Sequence, residues 1–237
     1  MEVLAIHYTL EVPHQPPERV VVRLDAHTLD PADALGDELP DWTRLDFHQC
    51  SHCPLSPETH PHCPLAARLA PLVARWKETA SDTAIRMTVH TQERTVIRDT
   101  VAQQAVRSLM GLLMATSGCP HTAYFKPMAR YHLPASSGQE TLYRAAAMYQ
   151  LAQYFISRAG GTADLSFEGL RAIYHRVEVV NAHMVDRIRE AISEDAMVNA
   201  IVVLDVFAKN AFVELEDHLG QLEPLFSPYL HDLRQPT

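Results

Sequence analysis

The feature that most constrains this chain is where its four cysteines fall. Three stand in one stretch, Asp46 to Ala66 (DFHQCSHCPLSPETHPHCPLA): Cys50, Cys53 and Cys63, interleaved with His48, His52, His60 and His62. Pro54, Pro57, Pro61 and Pro64 forbid a helix interior or a central strand across this stretch, so regular structure has to lie on either side of it. The fourth cysteine lies more than fifty residues on, in Ser117-Gly118-Cys119-Pro120-His121. A two-residue gap lets Cys50 and Cys53 reach one ion from a tight turn, and Cys63 returns to it across a nine-residue loop. The expected ligands are therefore Cys50, Cys53, Cys63 and Cys119, with His48, His60 or His62 as the alternative fourth donor. The bland alternative is four unrelated thiols. The crowding of three of them into one histidine-rich loop argues against it.

Charge and hydropathy narrow the function classes. The net charge is −9, and no cluster of Lys and Arg offers the phosphate-neutralising surface that a nucleic-acid binder needs. No basic segment precedes an apolar core at the N-terminus, and the most apolar window, Ala200 to Ala208, is broken by Asp205 and too short for a membrane span. A cytoplasmic protein is expected, and in a reducing compartment four cysteines read as metal ligands or free thiols rather than disulfides. Zinc is the expected ion, since it takes four cysteines or three cysteines and a histidine. The alternative is an iron–sulfur cluster: three of the four cysteines are followed by proline, as in cluster-binding runs, although the spacings match no such pattern. A thiol-redox reading of Cys50-Ser51-His52-Cys53 is opposed by Pro54 and Pro57, which block the helix that such a motif opens.

Periodicity predicts an α+β chain. Val3 to Val12 and Val20 to Asp25 are β-branched runs separated by a proline-bearing turn, and Ile85 to His90 with Arg94 to Arg98 gives a second hairpin. Trp42 to Phe47 reads as a short strand leading into the cysteine stretch. Leu65, Leu69, Leu72, Val73 and Trp76 share one helix face, with Pro64 in the first turn and Cys63 at the N-cap. From Val101 the pattern turns helical: one helix ends before Gly118, one starts at the Ser137/Glu140 capping box, one follows Ser166, and one runs from about Glu194 to Leu219. His121 to Ser136 reads as an irregular loop. The expected organisation is thus residues 1–100 as a β-hairpin-rich part with one or two helices and the Cys/His loop, and 101–237 as an all-helical part. Cys119 joins the two.

The runs Asp46-Phe47-His48-Gln49-Cys50, Met114-Ala115-Thr116-Ser117-Gly118-Cys119-Pro120 and Pro127-Met128-Ala129-Arg130-Tyr131-His132-Leu133-Pro134 resemble those of a bacterial family of uncharacterised proteins. That resemblance covers most of the chain and implies no activity. Arg130, Tyr131 and His132 are candidate cofactor contacts, either donors to a thiolate site or partners of an anionic ligand. Asn181 falls on a helix seam, and Asp205, inside an apolar run, requires an arginine partner or a raised pKa. The leading functional expectation is a cytoplasmic metal-binding protein with a sensing, regulatory or interaction role, its helical part open to a protein partner or to homo-oligomers, with no nucleic acid and no membrane. The alternative is an iron–sulfur protein or a metal- or thiol-dependent oxidoreductase.

Overall fold

A computed structural model of the chain describes residues 2–36, 38–191 and 196–234. Four strands, β1 (Val3–Glu11), β2 (Glu18–Asp25), β3 (Ala84–His90) and β4 (Thr95–Val101), form one antiparallel sheet in the order β2-β1-β3-β4. Strict alternation along β1 sends Leu4, Ile6, Tyr8 and Leu10 to the buried face, and Ile85, Met87 and Val89 of β3 continue that face. Two helices cover it. They are α1 (Pro64–Trp76), whose Leu65, Leu69, Leu72, Val73 and Trp76 are all buried, and α2 (Ala102–Ala115).

The remaining helices are α3 (Lys126–Arg130), α4 (Gly138–Arg158), α5 (Glu168–Ala191), α6 (Ala196–Leu222) and α7 (Ser227–Arg234). The C-terminal half of α5 (Val180, Met184, Val185, Ile188) joins Ala200 and Ile201 of α6 in the core shared with the sheet, α1 and α2. The N-terminal half of α5 (Leu170, Ile173, Tyr174, Val177) packs instead against Leu142, Ala145, Ala146 and Tyr149 of α4. One apolar core therefore runs across the boundary at residue 100. The α+β class and the helical C-terminal part stand as expected.

Four local readings change. Trp42 to Phe47 is not a strand: Asp41–Thr43 is a single 3-10 turn, and only Arg44 bridges to His62. The buried guanidinium of Arg187 donates to the carbonyls of Trp42, Arg44 and Leu45, which removes the acceptors a ladder would need. His121 to Ser136 is not wholly irregular, since α3 and a 3-10 turn over Ala123–Phe125 lie within it, with Pro127 in the first turn of α3 where its missing N–H costs nothing. Ser166 does not cap α5. Asp164 does, accepting from the Gly169 and Ser166 N–H groups, the Ser166 hydroxyl and the Tyr149 phenol, bonds that hold its carboxyl well below the usual range. Asp205 is buried, 9% exposed, but its partner is Lys209 one turn on, Nζ to Oδ2 2.5 Å, rather than an arginine. Among the described residues no helix is long and apolar enough to cross a membrane.

Candidate metal centre

Each thiol is delivered by a differently built piece of backbone. Cys53 N–H donates to the Cys50 carbonyl (3.0 Å), closing the turn that presents the first pair. His48, at φ 45°, turns the chain into it. Cys63 is the N-cap of α1: its own N–H is held by the Thr43 carbonyl (2.8 Å), Pro64 follows at the first helical position, and no side chain caps the helix. The first N–H groups of α1 are thus left free beside the Cys63 side chain.

Cys119 follows the end of α2 in a turn stitched by side chains. Thr116 Oγ1 donates to the Leu112 carbonyl, Ser117 Oγ and Thr122 Oγ1 both donate to the Met114 carbonyl, and Cys119 N–H donates to Ser117 Oγ. Gly118, at φ 92°, supplies the left-handed step. A Cβ there would lie 3.7 Å from Cβ of Pro64, so the Cys119 turn rests on the first turn of α1, beside Cys63.

A second contact brings the same turn to the Cys50–Cys53 loop. The His52 and His121 rings stack at 3.9 Å and 3°, His121 Nε2 reaches the His52 carbonyl (3.0 Å), and His52 Nε2 reaches the Arg176 carbonyl of α5 (3.0 Å). Loop, turn, α1 and α5 thus meet at one junction. The Cys119 turn lies beside α1 and the Cys50–Cys53 loop.

The electrostatics agree. Burial, and then the neighbouring thiols of Cys63, Cys119 and Cys53, push the Cys50 thiol up to about 12. Burial likewise raises Cys119, offset in part by N–H groups of His121 and Thr122. The opposing charge is Arg187, buried at 1% exposure and in electrostatic range of Cys63, Cys50 and Cys53. Three thiols thus lie in electrostatic range of one buried guanidinium. Among the described residues, no group of three or more His, Cys, Asp or Glu side chains is placed to hold a metal ion.

The histidines offered as alternative donors are engaged elsewhere. His48 Nε2 pairs with Glu190 Oε1 (2.7 Å), His60 Nδ1 with Thr59 Oγ1 (2.9 Å) and His62 Nδ1 with Thr43 Oγ1 (2.8 Å). Arg130 faces Glu93 at 3.7 Å and stacks on the exposed Tyr131 ring. His132 bonds the buried phenol of Tyr8. The residue missed from sequence is Arg187, whose signal was present: an arginine flanked by Met184 and Ile188 on the buried face of α5.

From residue 6 to residue 227 the chain matches the model of a domain of unknown function, DUF6901. It belongs to that family. The matched span holds all four cysteines and Arg187, and the DUF6901 description carries no activity. No curated protein and no solved structure matches the chain.

Proposed function

We propose that Cys50, Cys53, Cys63 and Cys119 hold one tetrathiolate centre, a zinc ion in the first reading, and that the centre fixes the Cys/His loop to α1, α2 and α5 of a cytoplasmic protein with a sensing, regulatory or interaction role. One observation carries the reading: Cys50, Cys53 and Cys63 lie in electrostatic range of the buried Arg187, and Cys119, from a distant segment, lies in range of Cys50 and Cys63. Four thiolates on a divalent ion leave a net double negative charge, and a buried guanidinium one turn of helix from the apolar core offsets half of it. Four protein ligands also leave no open coordination position, which favours a structural or sensing centre over a hydrolytic one.

An iron–sulfur cluster is the second reading, favoured by Cys53-Pro54, Cys63-Pro64 and Cys119-Pro120 and by the packing of Cys50 and Cys63 against the core. Metal analysis and an absorption spectrum of protein purified without air test both. One equivalent of zinc in colourless protein supports the first, and iron with acid-labile sulfide supports the second. Colourless protein free of both metals, from cells grown with ample zinc and iron, would overturn the centre altogether.

A further inference from the structure

On the far side of the Cys119 turn, between α2, α3, the start of α4, α5 and α6, lies a cavity of about 200 Å³. It is larger than the engineered voids of roughly 150 Å³ that admit a benzene ring. Its walls are mostly apolar, with Leu112, Met114, Met128 and Val177 among them, yet among the described residues two arginines, Arg107 and Arg144, line it and no carboxylate does. In a chain of net charge −9 that is an unexpected place to find uncompensated cations.

Arg144 Nη2 donates to the carbonyls of Met128 and Tyr131 (both 2.8 Å), which leaves its other N–H groups for a further acceptor. Its nearest acid, Glu140, is committed to the Ser137 capping box. Arg107 makes no hydrogen bond and no ion pair among the described residues, and the one charged neighbour it feels is another arginine, Arg98. A third polar group is also left over. Asn181, 1% exposed, lines the cavity with its Oδ1 buried and without a partner. An orphaned acceptor and an unpaired guanidinium in one apolar chamber are costly unless something binds there.

The lining of α2 from Arg107 to Ala115 extends roughly 12 Å at 1.5 Å per residue, with Arg107 at its start. We propose that this cavity binds a small amphipathic carboxylate, its acid group on Arg107, its apolar body about one ring or a short acyl chain in size, and a donor on that body turned to Asn181. Guanidinium forks suit a carboxylate better than a lone halide or ammonium group. The site stands independently of the thiol centre.

Gly111 supplies the control. It lies mid-helix in the cavity wall, and a Cβ there meets nothing within 4 Å, so Gly111→Ala enters open space and Gly111→Leu projects a longer side chain into the cavity. The probes are benzoate and hexanoate, compared with benzamide, hexanamide and benzylammonium, and read by the methyl resonances of Met114 and Met128. Supporting results are carboxylate binding at least tenfold tighter than the matching amide, a tenfold loss in Arg107→Gln, and loss of binding in Gly111→Leu and its milder form Gly111→Ala at an undiminished melting temperature. The proposal is overturned if neither carboxylate moves those resonances at millimolar concentration. Equal binding of the amides, or binding that survives Gly111→Leu, overturns it as well.

Discussion

The two sides of the Ser117–Thr122 turn are built from opposite electrostatic deficits. Toward α1, Cys50, Cys53 and Cys63 lie in range of the buried Arg187, and burial, then the neighbouring thiols, pushes the Cys50 thiol up to about 12. Toward α4, two arginines and, among the described residues, no acid line an apolar chamber. Both sides are buried, both borrow residues from α5, and the same carbonyl of Met114 anchors the Ser117 and Thr122 hydroxyls between them. Unfinished polar chemistry inside a core is destabilising, and the two proposals answer each deficit in turn: a soft cation on the first, an organic anion on the second.

The strongest way to break this contrast is Arg187→Met. Arg187 closes three carbonyls of the Trp42–Leu45 segment and supplies the charge facing the thiols. A methionine fits the volume and leaves those carbonyls without a donor, which should cost about 3–5 kcal/mol in urea unfolding and release the metal. Retained stability with a full metal complement would show that the guanidinium is incidental to the thiol side.

Cys119→Ser comes next. A centre tying Cys63 to Cys119 closes a loop of more than fifty residues, and its loss lowers stability by at most about 4 kcal/mol in the cross-link model. The expected result is loss of metal and a lower, still single, unfolding transition, because the shared core of the sheet, α1, α2 and α5 keeps the molecule cooperative. A variant that keeps both its metal and its melting temperature would take Cys119 out of the centre.

These effects also show where sequence reasoning reached and where it stopped. Leu4, Ile6, Tyr8 and Leu10 alternate, and Leu65, Leu69, Leu72 and Val73 recur at helical spacing. Local periodicity therefore gave both the sheet and its covering helix, and proline after Cys63 gave the helix start. The Ser137 capping box was likewise a local signal and formed as written. The partners of Arg187, unlike its place on the buried face of α5, were out of reach, because they lie more than 140 residues away and are backbone carbonyls, which leave no trace in residue identity. The same blindness turned Trp42 to Phe47 into a strand. The cavity was hidden for another reason: it is made by what is missing, a glycine and alanines on α2 facing α5, and periodicity records only that such positions are apolar.

On the cavity side the sharper test is titration. The hydrogen-bond order that satisfies every group runs from Ala135 N–H to Ser108 Oγ, on to the Tyr8 phenol, and from there to His132 Nε2 as acceptor. Burial, and next the charge of Arg144, lower His132 from 6.5 to about 3, so the ring is neutral in the folded protein. As pH falls below 6.5 the unfolded chain binds a proton that the folded chain refuses, and stability declines with falling pH until about 3. At about 1.4 kcal/mol per unit, this one group removes about 2 kcal/mol between pH 6.5 and pH ~5. His132→Gln, which keeps an acceptor for Tyr8 and cannot titrate, should show a correspondingly shallower decline in urea midpoints. An unchanged slope would mean that His132 is protonated in the fold, adding a third positive charge to the chamber.

The smallest expected effect decides which donor completes the thiol side. His48 borders Cys50 in sequence, and its Nε2 sits 2.7 Å from Glu190 Oε1 with both side chains more than a third exposed. Exposed pairs of this kind contribute roughly 0.2–1 kcal/mol, and salt screens them further. The replacement has to respect the backbone: His48 holds φ 45°, a left-handed conformation that asparagine adopts with little strain. His48→Asn should therefore cost no more than about 0.5 kcal/mol and leave the metal content of the purified protein unchanged. If His48→Asn instead sheds the metal while Cys119→Ser retains it, the ligand set is three cysteines and a histidine. The turn after α2 would then be a neighbour of the centre and no part of it, and the junction of loop and helices would rest on the His52–His121 stack and the Gly118–Pro64 contact alone.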